Sequence, residues 1–343
     1  MSNDYSRRIH LAQDYIRRHC EEDISLADVA KAAHLSAFHF HRIFTAFTHE
    51  TPNDFLRRIR VERAAHLLFV RPAIPMLEIA VQCGFKSQAL LARSFRAHFG
   101  MTASEWRKGD FWQHDGQFWR WRDSSEQKDS KNCKTKEAAP QLLSGLYLQR
   151  SEEFVAVRQG QRPSYIRDLR IEHKPAFRRA YIWRQGVQGE QILDLWRELL
   201  QWAVMQGLMR PDLMGSDLLG IARSVDNPNI TDVALCRYEA GFVVDENRVL
   251  SAEQRKAGQY DILFDEIAGG QFVVIDFAGT LADEALVVEY FYNYWLPTSE
   301  WEFADRAGYL EVPMSNSQQS LHTEMQIHTR WYLPVRKRRR LKT

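Results

Sequence analysis

Apolar positions recur every three or four residues from Tyr5 to Cys20, where Ile9, Leu11, Ala12, Tyr15 and Ile16 make one stripe and Arg7, Arg8, Arg17 and Arg18 fall largely off it. That period predicts an amphipathic helix. A related texture then occurs twice. Leu26-Ala27-Asp28-Val29-Ala30 reappears as Met76-Leu77-Glu78-Ile79-Ala80, Ser36 as Ser87, Phe44 as Phe95, Thr51 as Thr102, Asp54 as Glu105 and Phe55 as Trp106. Each copy predicts a short helix, a tight turn and a longer helix opening at Ser. Ser25 is the expected N-cap of the first short helix, with Asp28 as the acidic partner of a capping box. A longer helix over 53–68 joins the copies, with Arg57, Arg58, Arg60 and Arg63 at polar positions, and Arg71-Pro72-Ala73-Ile74-Pro75 breaks it.

A short helix, a turn and a longer helix form a helix-turn-helix, whose second helix lies in a DNA major groove. Two copies on one chain imply that two groove segments are read without prior dimerisation. In the first, Phe40, Ile43, Phe44 and Phe47 have the buried spacing and leave Phe38, His39, His41 and Arg42 facing outward. Arg takes guanine bidentately, His donates or accepts, and Phe touches a thymine methyl. In the second, Leu91, Ser94 and Phe95 face the core, leaving Lys86, Ser87, Gln88, Ala89 and Arg93 available. Gln88 suits adenine, and Ser87 at a helix start suits a phosphate. Gly84 supplies a left-handed turn residue easily; His34 at the matching place carries strain.

The texture changes after this all-helical part. Phe111, Trp112, Phe118, Trp119 and Trp121 form an aromatic string with Arg120 and Arg122, expected to cap the first domain or dock it, and 124–139 is a polar stretch without large apolar side chains. From Tyr147 the pattern reads as α+β: strands over 176–183, 270–277 and 324–335, one or two strands over 232–244, and helices over 191–206 and 283–295. A strand-helix-strand set used twice predicts a pseudo-symmetric domain with a groove between its halves.

Composition sharpens this only a little. The 343 residues suffice for two or three cores, and 45% hydrophobic and 26% charged content is that of an ordinary soluble protein. Neither a signal peptide nor an apolar membrane span is evident, and Cys20, Cys83, Cys133 and Cys236 are scattered, which fits reduced thiols in a cytoplasmic protein. The net charge of +2 is unevenly spread: residues 1–110 hold 16 Lys and Arg against 12 Asp and Glu, with eight of the 12 His. A mildly basic first part fits a nucleic-acid module. No nucleophile motif, metal set or phosphate loop stands out, so no catalytic residue, metal or cofactor is expected.

The double unit resembles the DNA-binding domain of the AraC/XylS family of bacterial transcription regulators, most fully over IAVQCGFKSQALLARSFRAHFGMTASEWRK; His34, Leu91 and Ala103 depart from the family pattern. By that resemblance Phe38, His41, Arg42, Gln88 and Arg93 occupy or adjoin base- and backbone-contacting places. Residues 145–336 resemble the GyrI-like effector-binding domain, through RRAYIW, ILDLWRELLQWAVMQGL, DVALCRYEAGFVV, GGQFVVIDFAGTL, YNYWLPTSEWEFAD and RWYLPVRK. The resemblance implies an aromatic cavity, often with a buried Glu for cationic lipophilic ligands. Trp183, Trp196, Tyr238, Phe277, Tyr292, Trp295 and Tyr332 are candidate walls. The position matching the family's acid is Arg330; Glu324, which period 2 places on one face with Gln326, His328, Arg330 and Tyr332, is either a shifted acid or a sign that the ligand is not a cation.

The expected architecture is thus an all-α double helix-turn-helix domain (1–108), a linker (109–144), an α+β pseudo-symmetric effector-binding domain (145–336) and a basic tail (337–343). The expected function is transcription regulation through double-stranded promoter DNA, an aromatic or lipophilic small-molecule effector and RNA polymerase, with no membrane partner. The alternative is a GyrI-like small-molecule hydrolase fused to a DNA-binding domain. The first repeat is expected to read most of the sequence and the second to anchor.

Overall fold

The structure is a computed structural model that describes residues 3–71, 74–108 and, from 151 to 338, all but 188–189, 208–218, 228–229, 246, 248–249, 252, 305 and 314–325. The chain divides into two compact units, Met1–Gln149 and Arg150–Thr343. The aromatic string, the polar stretch and Glu324 lie outside the described residues.

The first unit is helical: α1 (Asn3–Arg18), α2 (Leu26–Ala32), α3 (Ala37–Thr48), α4 (Pro52–Val70), α5 (Met76–Gln82), α6 (Gln88–Phe99) and α7 (Ala103–Arg107). Local chemistry sets the boundaries. Ser25 and Asp28 form a reciprocal capping box at α2, Thr102 and Glu105 another at α7, and Ser36, Thr51 and Ser87 each accept an amide from the first turn of α3, α4 and α6. Pro52 sits at the first position of α4, where its missing N–H costs nothing.

Two cores result. Ile9, Ala12 and Ile16 of α1 pack with Val29, Ala30, Phe40, Phe44 and Phe55 in the first. In the second, Ile79, Ala80, Leu91, Phe95, Phe99 and Trp106 are buried, with the Trp106 indole donating to the Ala65 carbonyl at 3.0 Å. Helix α4 serves both, through Phe55 and Ile59 on one side and Ala65 on the other. Two of the polar positions on the joining helix turn inward: Arg58 is buried, chelating Glu50 (Nη2–Oε2 2.9 Å) and Glu62 (3.1 Å), while the partly buried Arg60 donates to the Cys20 and Glu22 carbonyls, both at 2.6 Å.

The second unit is built on one antiparallel sheet. Its elements are α8 (Ser151–Arg158), β1 (Ile166–Lys174), β2 (Phe177–Gln185), α9 (Glu190–Met205), β3 (Leu219–Ser224), β4 (Arg237–Val243), β5 (Lys256–Ala257), β6 (Tyr260–Asp261), β7 (Leu263–Ile267), β8 (Gly270–Gly279), α10 (Leu281–Tyr290), α11 (Leu296–Thr298), β9 (Trp301–Phe303), β10 (Tyr309–Pro313) and β11 (Ile327–Lys337). The strand order is β1-β8-β11-β10-β3-β4-β2-β7, with β9 paired to the end of β11 and β5–β6 a separate hairpin.

Several expected bounds shift. The 232–244 stretch is a single strand after a 3₁₀ turn at Val233–Leu235. The helix expected over 283–295 is regular only to Tyr290, and Phe291–Trp295 continues as a π-helical turn. The last strand opens at Ile327 and runs through Lys337; Arg338 donates to the Leu296 and Trp301 carbonyls at 2.7 and 2.9 Å, so the start of the basic run belongs to the fold.

Register assigns the sheet's two faces, because directly paired residues point the same way. Ala180, Ile182, Ala222, Ala240 and Phe242 pack under Leu195, Trp196, Leu199 and Trp202 of α9. Helix α10 lies on that same side, since Asp283 and Phe277 crowd one point at Gly279 and the Glu284 charge reaches Tyr238. The far face carries Ile221, Phe272, Val274, Tyr309 and Tyr332 as a second apolar cluster, with Phe177 against it.

Candidate functional site

The α2–α3 and α5–α6 turns are near copies with one difference in length. Leu35 N–H donates to the Ala30 carbonyl at 2.9 Å, and Phe85 N–H to that of Ala80 at 2.8 Å. His34 and Gly84 precede them at φ +54° and +72°, so both turns demand a left-handed residue. Space separates them. A Cβ on Gly84 would stand 2.4 Å from the Cys20 carbonyl oxygen and 2.9 Å from the Arg60 Nε that also binds that carbonyl. Gly is therefore required in the second turn for both backbone and room. In the first turn a side chain fits, and the His34 carbonyl accepts from Arg8 at 2.7 Å. His34→Gly should stabilise the first unit by about 1 kcal/mol, the left-handed penalty less the flexibility Gly adds to the unfolded chain. A denaturation midpoint that did not rise would show the site to be unstrained.

The outward faces match expectation in most places. On α3, Phe38 is 84% exposed, with His41 and Arg42 also exposed one turn on. His39 is half-buried and meets Tyr5 edge-on at 5.7 Å, so of the four it is the one tied back to the fold. On α6, Gln88, Ala89 and Arg93 are exposed, while Leu91 and Phe95 are fully buried and Ser94 is partly so. Ser87 accepts the Leu90 amide at 3.2 Å, which makes it a helix cap whose O–H can still donate. Exposed Lys86 lies 3.3 Å from Asp23. Such a pair between exposed side chains is weak and exchanges readily for a phosphate.

The seven aromatics proposed for the effector wall are not brought together. Trp196 and Tyr238 lie on the helix side, joined by an indole N–H to phenol hydrogen bond of 3.0 Å, and Phe277 lies on that side against Trp331 at 5.8 Å. Trp183 and Tyr332 lie on the far face, Trp183 beside Arg237 and Tyr332 stacked on Tyr309 at 4.5 Å and 6°. Tyr292 and Trp295 belong to the π-helical turn, where both pack on Phe291. Side-chain type predicts an aromatic wall, but strand alternation sends neighbours to opposite faces, and register was needed to sort them. His328, Arg330 and Tyr332 do share one face, as period 2 predicts. His328 and Arg330 both approach Asp276, and the Tyr332 hydroxyl donates to Glu311 at 2.8 Å.

Two acidic residues of consequence had escaped the sequence reading. Glu239, on β4, is buried among guanidinium groups: Arg179 donates to it directly, Arg237 lies at 3.0 Å and Arg223 at 3.8 Å, while Asp265 accepts from Arg179 at 2.7 and 3.0 Å. Burial opposes its charge, but the cations around it prevail and hold its carboxyl far below the usual range. The alternation Arg237-Tyr238-Glu239 was the available signal. Glu284, half-buried on α10 near Tyr238, has the opposite shift, pushed up to about 7 by burial. Burial, with the Glu284 charge adding to it, likewise pushes the Tyr238 phenol up to about 12.

The Glu284 shift has a stability consequence. A carboxyl whose folded pKa lies above its unfolded one binds the extra proton only in the fold, so stability falls as pH rises from about 4.5 to about 7. Allowing for its half-exposed position, the loss should be about 1–2 kcal/mol. Glu284→Gln should abolish it, read as a flatter profile of melting temperature against pH; an unchanged profile would assign the effect elsewhere.

Comparison with known proteins follows the same two-part division. Residues 29–109 match a helix-turn-helix domain family and residues 167–336 a GyrI-like small molecule binding domain family. The probable transcriptional regulator LumQ of Photobacterium leiognathi is 30% identical over 97 residues, 28% of this chain and 39% of LumQ. The regulatory protein SoxS of Escherichia coli (strain K12) is 32% identical over 93 residues, 27% of this chain and 86% of SoxS. The transcriptional regulator Rob of Salmonella typhimurium is 30% identical over 102 residues, 30% of this chain and 35% of Rob. The match thus spans about two fifths or less of LumQ and Rob but most of SoxS. With its helix-turn-helix unit covering most of SoxS and a GyrI-like domain behind it, the chain belongs to the AraC family of transcription regulators.

Proposed function

We propose that this chain regulates transcription by placing α3 and α6 in successive major-groove segments of double-stranded promoter DNA, under the control of a small molecule bound by its second unit. The observation that carries the DNA reading is the matched pair of recognition helices, each with one face fully buried and its N-terminal outer face exposed. Phe38, His41 and Arg42 read bases in the first segment; Gln88 and Arg93 contact the second, and Lys86 and Ser87 hold phosphates. His39 supports the first helix from behind.

The functional division follows 1–108 for DNA, 109–144 as linker and 145–336 for the effector. Strand order supports pseudo-symmetry in the last: read from either edge it runs β1-β8-β11-β10 or β7-β2-β4-β3, two like sets meeting at β10–β3. An aromatic or lipophilic effector and contact with RNA polymerase complete the reading, which places the protein in the cytoplasm. Among the described residues no helix is long and apolar enough to cross a membrane. The regulators among the relatives do not favour the hydrolase alternative.

Selection of duplexes from a random pool by the purified chain tests the proposal. Enriched sequences should share a bipartite motif, with affinity falling steeply as salt rises. Failure to enrich any sequence would refute it.

A further inference from the structure

On the far face of the sheet, away from α9 and α10, acids and arginines are unequally paired. Its acids are well served. Glu239 is paired with Arg179 and Arg237, Asp265 accepts from Arg179, Asp276 is 2.7 Å from His328 Nε2, and Glu311 accepts from the Tyr332 hydroxyl at 2.8 Å. Its arginines are not. Arg223 comes no nearer than 3.8 Å to Glu239 and 3.9 Å to Asp265, and its buried Nε has no acceptor. Arg179, fully buried, leaves Nη1 without an acceptor. Arg330 is 43% exposed and approaches Asp276 and Glu311 only at 3.5 and 3.6 Å, beyond a good charge-assisted bond.

Arg223 and Arg330 flank one strand. Glu311 of β10 pairs with Arg330 of β11 on one side and Ile221 of β3 on the other, two positions from Arg223. Between them lies the Tyr309–Tyr332 stack, with interplanar angle 6°. The two rings are buried, so they close the base of the site and leave the two under-used guanidiniums as its binding groups; guanidinium binds carboxylate bidentately, and the ligand's aromatic part is that of the effector class proposed above.

We infer that the effector is a small aromatic carboxylate, held on this far face by Arg330 and Arg223. This rests on the reading that the second unit binds a small molecule. Arg330 grips the carboxylate from the exposed edge and Arg223 from the buried side, while the acids, already paired with Arg179, Arg237, His328 and Tyr332, have little left to offer a cationic ligand.

Isothermal titration of the full-length chain with 2-naphthoate, 2-naphthylmethanol and 2-naphthylmethylammonium tests it. The naphthoate should bind at least tenfold more tightly than the other two. Arg330→Gln and Arg223→Gln should each weaken it at least tenfold, and Arg330→Glu should turn the preference toward the ammonium. If a Gln variant melts early, Arg330→Lys, which keeps the charge, should keep part of the affinity. Preference for the ammonium or the alcohol would overturn the carboxylate and leave the effector reading standing. No binding by any of the three would overturn both. Naphthoate binding indifferent to both arginines would overturn the site.

Discussion

Glu239→Gln is expected to destabilise the second unit by about 3–5 kcal/mol, the cost of removing one partner from a buried ion network. Arg179, Arg237 and Arg223 converge on this carboxylate from three neighbouring strands, and Arg179 and Arg237 are themselves buried. Arg179 stays charged, held above its ordinary range by Glu239 and Asp265 against the pull of desolvation. An amide would leave those cations facing one another with Asp265 as the remaining acid. The pH dependence has a definite sign. Because the folded carboxyl is held below its unfolded value of about 4.5, its contribution is complete above that pH and is lost as pH falls below it. Wild type should therefore lose stability in acid more steeply than the variant, opposite in direction to the Glu284 effect. Denaturant melts between pH 3 and pH 7 test this; equal stability of the two proteins at pH 7 would show that the network contributes no net stability.

Arg42→Ala is expected to cost about 1–3 kcal/mol of specific DNA affinity and to relax preference at one base pair, the value of a bidentate contact to guanine. Arg42 is exposed on α3, one turn after Phe38, which is itself 84% exposed and placed for a thymine methyl. Arg93→Ala, on α6, should instead weaken binding to all sequences alike and make the dependence on salt shallower. The difference follows from side chains near each helix start: the first presents Phe38, His41 and Arg42, the second Gln88, Ala89 and Leu90. Equilibrium binding to matched and mutated sites separates the two effects. Loss of base preference confined to Arg93→Ala would reverse the assigned roles.

Where the signal is local, the fold was legible. Ser25, Ser36 and Ser87 announce helix starts because the cap needs only the next three residues, and each caps as expected; Thr51 and Thr102 cap in the same way, though in the sequence they stand out only as a matched pair. The left-handed turn at His34 was legible by alignment with Gly84. Long-range partners were not. Arg58 and Arg60 look like surface charges on α4 until Glu50 and the Cys20 carbonyl are placed beside them. Glu239 reads as the polar residue of a half-exposed strand, and only pairing with β2 and β3 buries it among arginines. The aromatic wall failed for the same reason, since Trp183 and Tyr238 reach opposite faces of the sheet.

The most direct measurement of the central claim is a hydroxyl-radical footprint of the monomeric full-length chain on a selected duplex. Two protected segments should appear on one face of the DNA, about 10 base pairs apart, with changes at Phe38 or Arg42 erasing one and changes at Gln88 or Arg93 weakening the other. A single protected segment, or protection only when two chains bind, would contradict a protein that reads two grooves with one chain.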